Sequence, residues 1–410
     1  MSSEPHNSAE AARGGQPGVL AGPRDGPRDG PRRGVLFTAF EPSGDEHAAA
    51  VVAELRRRHP DLPIYAWGGP RMERAGATIV ERTGDDAVMG LPGLAKIREH
   101  QRINARIAEW LTHARVAVHV PVDSPAANFP ICAITRRQGL KIVHLVAPQI
   151  WAWGRWRIRK LRKRTDMVLC LLPFEEAFFT DRGVPAKFIG HMLFDKVLDT
   201  DALDRRAATF GDGSPRVALM PGSRPDELER HVEVMLRAFE MVRARHPGAS
   251  GVVAATSPRV AEVLRSLAEQ RLGGWPAAVR LVVQDTDAVI RWCTLALVKS
   301  GTVTLQVAKQ NRPMVVFYRK SSPLLYSVAR VILSTKHFSL PNVLAHRRIV
   351  PELIPHYGGP EPIVEAALRI IEDPEHAAAQ RLELARVVAG FEGRRASALA
   401  ADAIEAFAMA

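Results

Sequence analysis

From Gly34 onward the chain alternates short apolar runs with longer mixed stretches. Val35–Ala39, Ile64–Trp67, Val116–Val120, Ile142–Val146 and Met167–Leu172 are the apolar runs of the first half, and Glu46–His59 and Gln101–Arg115 read as helices between them. Val217–Met220, Gly251–Ala255, Val279–Val283, Leu295–Val298 and Met314–Phe317 form a second series, with a long helix at Glu227–Arg245. Such alternation predicts parallel sheets with crossover helices. Two successive series predict an α/β protein of two Rossmann-like lobes facing each other across a cleft. Leu193–Arg206 reads as a connecting helix beside the linker signal Gly211-Asp212-Gly213-Ser214-Pro215. A helical C-terminal segment follows, at Pro362–Ile371, Ala377–Gly390 and Arg394–Ala408.

The first residues break the pattern. Their Gly-Pro-Arg-Asp repeat is too poor in apolar side chains to offset the entropy of ordering, so residues 1–33 are expected to be a disordered tail. The remainder, in a chain of 410 residues with 46% hydrophobic composition, is long enough for two cores. Cys132, Cys170 and Cys293 are widely spaced and form no CxxC pair, which argues against a disulfide framework or zinc site and for a reducing cytoplasm. No apolar run approaches the roughly 18–20 residues that span a bilayer. Net charge is +12, of which the first 34 residues supply +1, five arginines against four acids. The basic excess therefore belongs to the body and predicts attraction to a polyanion: nucleic acid, an anionic membrane surface or a phosphorylated substrate.

Three strand-to-helix junctions carry the candidate chemistry: Glu41-Pro42-Ser43-Gly44-Asp45, Pro221-Gly222-Ser223-Arg224 and Ser300-Gly301-Thr302. Each puts a small, hydroxyl-bearing turn at the start of a helix, where unpaired N–H groups can hold a phosphate or carboxylate without a metal. Arg224 is placed to reach over its turn toward a diphosphate. Each junction also reads as an ordinary capped helix start, with Pro225, Asp226 and Glu227 suited to a first turn. Asp285-Thr286-Asp287 imitates a metal-binding Asp-x-Asp string but reads as a loop and N-cap, and no metal or cofactor is expected. His191 is equally a cleft-facing or a structural histidine.

Read together, Glu41-Pro42-Ser43-Gly44-Asp45, Gly68-Gly69-Pro70-Arg71-Met72, Val88-Met89-Gly90, Pro148-Gln149-Ile150-Trp151-Ala152-Trp153, Gly190-His191, Pro221-Gly222-Ser223-Arg224, Ser300-Gly301-Thr302, Ser339-Leu340-Pro341-Asn342 and Val350-Pro351-Glu352-Leu353 occur in the order found in the lipid-A-disaccharide synthase family. The chain resembles that family from about Gly34 to Ile371. The resemblance implies a GT-B fold, with 34–190 as the acceptor- and membrane-facing lobe and 191–410 as the nucleotide-sugar lobe with terminal helices. It implies an inverting glycosyltransferase of lipid A biosynthesis, which joins UDP-2,3-diacylglucosamine to 2,3-diacylglucosamine 1-phosphate (lipid X) and releases UDP, without a metal. A diverged or non-catalytic GT-B relative and a UDP-GlcNAc 2-epimerase-like enzyme are the alternatives.

The same resemblance distributes roles. Asp123, in Val122-Asp123-Ser124-Pro125-Ala126-Ala127-Asn128, keeps the first carboxylate of a family motif and is the candidate base; Ala126 stands where the second acid is usual. Glu41, Ser43 and Asp45 match the acceptor-side loop. Ser223, Arg224, Ser300, Gly301 and Thr302 map to the donor diphosphate region, and Asn342 and Glu352 to later donor-lobe motifs. Gln306 replaces an acidic residue that commonly accepts from ribose hydroxyls, so weaker nucleotide binding is expected. Phe40, Gly93 and Pro355 are further departures from the family pattern.

Acyl substrates require contact with a membrane. Arg155, Arg157, Arg159, Lys160, Arg162, Lys163 and Arg164 surround Trp156, Ile158 and Leu161, directly after Trp151 and Trp153, as in an interfacial helix on anionic lipid. Met89–Ile97 would add an apolar contact. Both segments also read as core packing beside a solvated charge run. No nucleic-acid recognition motif accompanies the basic charge, so a nucleic-acid partner is not expected. The expected location is cytoplasmic, peripheral on the inner face of the cytoplasmic membrane.

Overall fold

The computed structural model describes residues 34–83, 93–319 and 334–409, with side chains at 93–96 left aside. The disordered-tail expectation for 1–33 and most of the Met89–Ile97 expectation lie outside the described residues.

Strands β1 (Gly34–Ala39), β2 (Ile64–Gly68), β3 (Thr78–Arg82), β4 (Val116–Val122), β5 (Lys141–Leu145), β6 (Met167–Cys170) and β7 (Ala186–Phe188) form one sheet in the order β3-β2-β1-β4-β5-β6-β7. Strands β8 (Arg216–Met220), β9 (Ser250–Ala255), β10 (Val279–Val283), β11 (Leu295–Lys299), β12 (Met314–Arg319) and β13 (Glu352–His356) form a second, in the order β10-β9-β8-β11-β12-β13. β1 pairs in parallel with β2 and β4, and β8 with β9 and β11. Helices of 17 and 21 residues, Pro42–Arg58 and Pro225–Arg245, follow β1 and β8. The winding order reverses between β1 and β4, and again between β8 and β11. In open α/β sheets these are the crevices where ligands bind, beyond the carboxyl ends of the strands.

The central strands are largely apolar because helices cover both faces, with buried Thr38 in β1 and His119 in β4 as exceptions. Val35, Leu36, Phe37, Leu295, Leu297 and Val298 are fully buried. In the first sheet Leu36, Trp67, Ile103, Ile107 and Trp110 form one core, with the Trp67 and Trp110 rings edge to face at 5.1 Å. In the second, Phe239, Val232 and Leu264 pack on one face, and Ile290, Trp292 and Leu384 on the other.

The expected strands are present, and three more were not anticipated: β3, β7 and β13. All three are edges of their sheets, each flanked on one side only. Their half-exposed patterns leave no continuous apolar run to read. The connecting helix expected at Leu193–Arg206 is two helices, Met192–Asp195 and Thr200–Ala208. His191 Nδ1 and Asp199 Oδ1 accept the N–H groups of Leu193 and Ala202, so the chain restarts a helix rather than continuing one.

The two compact units are not contiguous in sequence. One comprises residues up to 148, 160–169 and 397–410; the other comprises 149–159 and 170–396. The last helix, Ala396–Ala408, thus belongs largely with the first sheet, where Arg58 bonds Asp402 at 2.6 Å and Glu405 at 3.1 Å. Among the described residues no helix is long and apolar enough to cross a membrane.

Candidate active site

At the β1/β4 crevice the backbone itself is unusual. Asp123 and Ser124, the two residues after β4, both have positive φ, 47° and 38°. Two consecutive non-glycine residues in this left-handed region cost on the order of 1 kcal/mol or more each, and persist only where their surroundings hold them. Asp123 N–H donates to Leu145 O at 3.0 Å. Asn128, one turn into the helix Pro125–Arg137, donates from Nδ2 to Val122 O at 3.0 Å and to Asp123 O at 2.9 Å. Its Oδ1 accepts from the Thr38 hydroxyl at 2.7 Å. Thr38 spends its only proton there, so its oxygen takes the Nε2–H of His119 at 2.9 Å, and Nδ1 of that ring accepts from Thr135 at 3.0 Å. All four side chains are fully buried, and desolvation lowers His119 to about 3, keeping the ring neutral.

The strained pair stands at the carboxyl end of β4, beside the crevice. Ser124 Oγ donates to Glu41 Oε1 at 3.0 Å, joining the end of β4 to the end of β1. Asp123 and Glu41 are half-buried and Ser43 is exposed. Asp45 is elsewhere: its buried carboxylate accepts the N–H groups of Gly69, Arg71 and Met72 at 3.0, 2.9 and 3.1 Å, capping the short helix Pro70–Arg74. It supports the loop rather than reaching from it.

The β8/β11 crevice is built from cations and glycine. Gly222 has φ +114°, and a Cβ there would meet Glu227 Oε2 at 2.7 Å. Glu227, buried in the first turn of Pro225–Arg245, holds Lys299 Nζ at 2.6 Å and lies 3.8 Å from the Arg224 guanidinium. Lys299 closes β11 and immediately precedes Ser300-Gly301-Thr302. Its ammonium is 3.4 Å from where a Gly301 side chain would begin and 5.6 Å from the Tyr318 ring centroid. Arg224, Ser223 and Thr302 are exposed, and Ser300, Gly301 and Gln306 half-buried. The arrangement offers two cations on one carboxylate beside two turns, an environment suited to a diphosphate.

Asn342 and Glu352 are brought together but turned inward. Glu352 accepts from the N–H groups of Phe338 and Ser339 at 3.1 and 2.8 Å, from the Ser339 hydroxyl at 2.6 Å and from Asn342 Nδ2 at 3.0 Å. Asn342 Oδ1 takes the N–H groups of Ile349 and Val350. Ser300 Oγ donates to Phe338 O at 3.4 Å, so this knot abuts the Ser300 turn. His191, likewise, is an N-cap. Asp285 and Asp287 are engaged by Arg206 and Lys196, and among the described residues no cluster of three or more His, Cys, Asp or Glu is arranged to hold a metal ion.

The basic segment is a single helical turn, Arg155–Arg157, running into the helix Ile158–Arg164. Arg155, Arg159, Lys160, Arg162 and Lys163 are exposed, and Trp156 is 64% exposed. The anticipated apolar strip is only partly on the surface: Leu161 is fully buried. Trp153 supplies exposed apolar area instead, 46% exposed with the Arg157 guanidinium 3.6 Å over its ring. Trp151 faces inward and donates to Glu175.

Sequence reasoning missed Lys299, Glu227 as its partner, and the Thr38–His119–Asn128 chain. Their signal was a polar residue in or closing an apolar strand, which by itself says nothing about what it meets.

Paired Rossmann-like units of this kind define the GT-B class. Two solved structures share the fold: UDP-GlcNAc 2-epimerase of Neisseria meningitidis, bound to UDP-GlcNAc, at TM-score 0.60 and 12% identity over 90% of this chain and 98% of that one; and Acinetobacter baumannii MurG at TM-score 0.56 and 11% identity, over 91% and 99%. Residues 35–406 match the family described as lipid-A-disaccharide synthetase, and the chain belongs to that family. It is 38% identical over 345 residues to the lipid-A-disaccharide synthase of Anaeromyxobacter dehalogenans, covering 83% of this chain and 88% of that one. It is accordingly a glycosyltransferase of lipid A biosynthesis, acting on sugar-nucleotide and lipid substrates.

Proposed function

We propose that the enzyme condenses UDP-2,3-diacylglucosamine with 2,3-diacylglucosamine 1-phosphate, with inversion, to give the β(1→6) disaccharide 1-phosphate and UDP. Asp123 takes the proton of the acceptor hydroxyl as its oxygen bonds the anomeric carbon, and the bond to UDP breaks with its electrons passing to the diphosphate. Glu41, through Ser124, shapes the acceptor side, and Ser43 lies beside it. Arg224, Lys299 and the turns at Ser223 and Ser300–Thr302 stabilise the departing charge. Gln306 meets the ribose, while Asn342 and Glu352 hold the loop that backs the Ser300 turn. Residues 34–190 carry the acceptor and 191–410 the donor sugar, apart from the terminal helix.

The observation that carries this reading is the pairing of a carboxylate-bearing switch point with a cation-bearing one in a chain of this family. The test is UDP release from UDP-2,3-diacylglucosamine with and without 2,3-diacylglucosamine 1-phosphate, with UDP-GlcNAc as control donor. Acceptor-dependent release with a disaccharide product supports it. Isomerisation of UDP-GlcNAc without acceptor, or UDP binding without turnover, overturns it.

Its substrates place the enzyme on the inner face of the cytoplasmic membrane, docked by Trp156, Arg155, Arg159 and Arg162. The exposed tryptophan among exposed arginines supports this face. Neutralising the three arginines should weaken binding to anionic vesicles by about 1 kcal/mol per charge. Unchanged retention in a flotation assay would refute it.

A further inference from the structure

We propose that Asn128 is a positioning residue for the transfer reaction, fixing the direction of the Asp123 carboxylate through the backbone rather than touching substrate. The inference rests on Asp123 being the base. The Asn128 side chain grips both carbonyls at the start of the left-handed pair, Val122 O at 3.0 Å and Asp123 O at 2.9 Å. An Asp123 that relaxed to negative φ would re-aim its Cα–Cβ bond, and those two hydrogen bonds, with the one from Asp123 N–H to the Leu145 carbonyl and those from Ala127 and Asn128 N–H to Ser124 O, hold the turn against this.

The amide is itself oriented. Its Nδ2 must face the Val122 and Asp123 carbonyls, which can only accept, so its Oδ1 faces the Thr38 hydroxyl and takes that proton at 2.7 Å. The chain Thr135, His119, Thr38, Asn128 therefore runs with one donor direction, from the helix Pro125–Arg137 through β4 and β1 to the turn after β4. A flipped amide would point two N–H groups at the Thr38 donor and leave two carbonyls bare. The network sets an Asn rather than merely filling a core.

The experiment compares Asn128→Ala, Asn128→Asp and Asp123→Asn for kcat, donor KM and UDP affinity by titration, with kcat expressed per UDP-binding chain so that unfolded protein does not count. For both Asn128 variants kcat should fall roughly thirty- to a hundred-fold, with UDP affinity within about two-fold of the parent, as for a slightly misplaced reacting group. Parent-like kcat in these variants, with Asp123→Asn inactive, overturns the positioning role and leaves the base intact. Parent-like turnover in Asp123→Asn overturns the base and this inference with it. If neither Asn128 variant folds, Thr38 decides: Thr38→Val should lower kcat at least about three-fold with UDP affinity unchanged and Thr38→Ser should restore it, whereas equal kcat in the two refutes the role.

Discussion

The two switch points share a topology and use it in opposite ways. Beyond β1 and β4 the chain spends backbone strain, holding Asp123 and Ser124 at positive φ from a buried neutral network, so that the residue bearing the carboxylate sits in a fixed frame. Beyond β8 and β11 it uses glycine where φ is positive, at Gly222, and places charge instead: Lys299 and Arg224 about the Glu227 carboxylate. A proton acceptor needs one carboxylate aimed correctly, which geometry supplies. A diphosphate site needs close backbone approach and positive potential, which glycine and the two cations supply.

This contrast breaks most readily at the base. Asp123→Asn should lower kcat by about 10²–10⁴-fold while UDP affinity stays near the parent's, since only the transition state uses the base; full activity would remove the distinction between the two crevices. At the other crevice, Lys299→Met should weaken UDP binding about ten-fold in a direct titration. It should also destabilise the protein by about 2 kcal/mol in urea unfolding, because buried Glu227 is left with the exposed Arg224, 3.8 Å away, as its remaining cation among the described residues. Adding Glu227→Gln should recover much of the stability and none of the affinity. A single variant that restored both would mean that Lys299 serves only the core.

Gly222→Ala sharpens the backbone side of the comparison. The added methyl meets Glu227 at a positive φ that alanine disfavours, so a loss of about 1–2 kcal/mol in stability and weaker UDP binding are expected. Ser43→Ala, at an exposed position free of such strain, should change stability by less than about 0.5 kcal/mol.

Acid gives a further test. Burial lowers His119 and His144 to about 3 and His231, beside the second crevice, to about 4. Each folded pKa lies below the unfolded value, so their stabilisation is complete above about pH 6.5 and is lost as pH falls toward the folded values, where the unfolded chain takes up protons the folded one refuses. Melting temperature should therefore drop from pH 7 to pH 5. The ring nitrogens of His144 have no hydrogen-bond partner among the described residues, so His144→Phe should soften that drop without loss at pH 7.5. An unchanged pH dependence would assign the acid sensitivity to other groups.

The alternation of apolar runs determined two parallel sheets and their central strands, because a strand covered on both faces must be largely apolar. The family motifs then located Asp123, Arg224 and the Ser300 turn, each at the end of such a strand. Sequence alone missed β3, β7 and β13, edge strands whose residues lack a continuous apolar run, whereas the edge strand β10, Val-Arg-Leu-Val-Val, was apolar enough to read. It grouped Asp45, Asn342 and Glu352 with site residues, whereas their hydrogen bonds turn them inward to hold loops. Lys299 and Glu227 are 72 residues apart, and Thr38 and Asn128 are 90 apart. Their partnerships exist only once the winding reversal lays β8 against β11 and β1 against β4. Residue types and periodicity are local, so they determined which elements form; which polar atoms face one another across a switch point was decided by the tertiary structure.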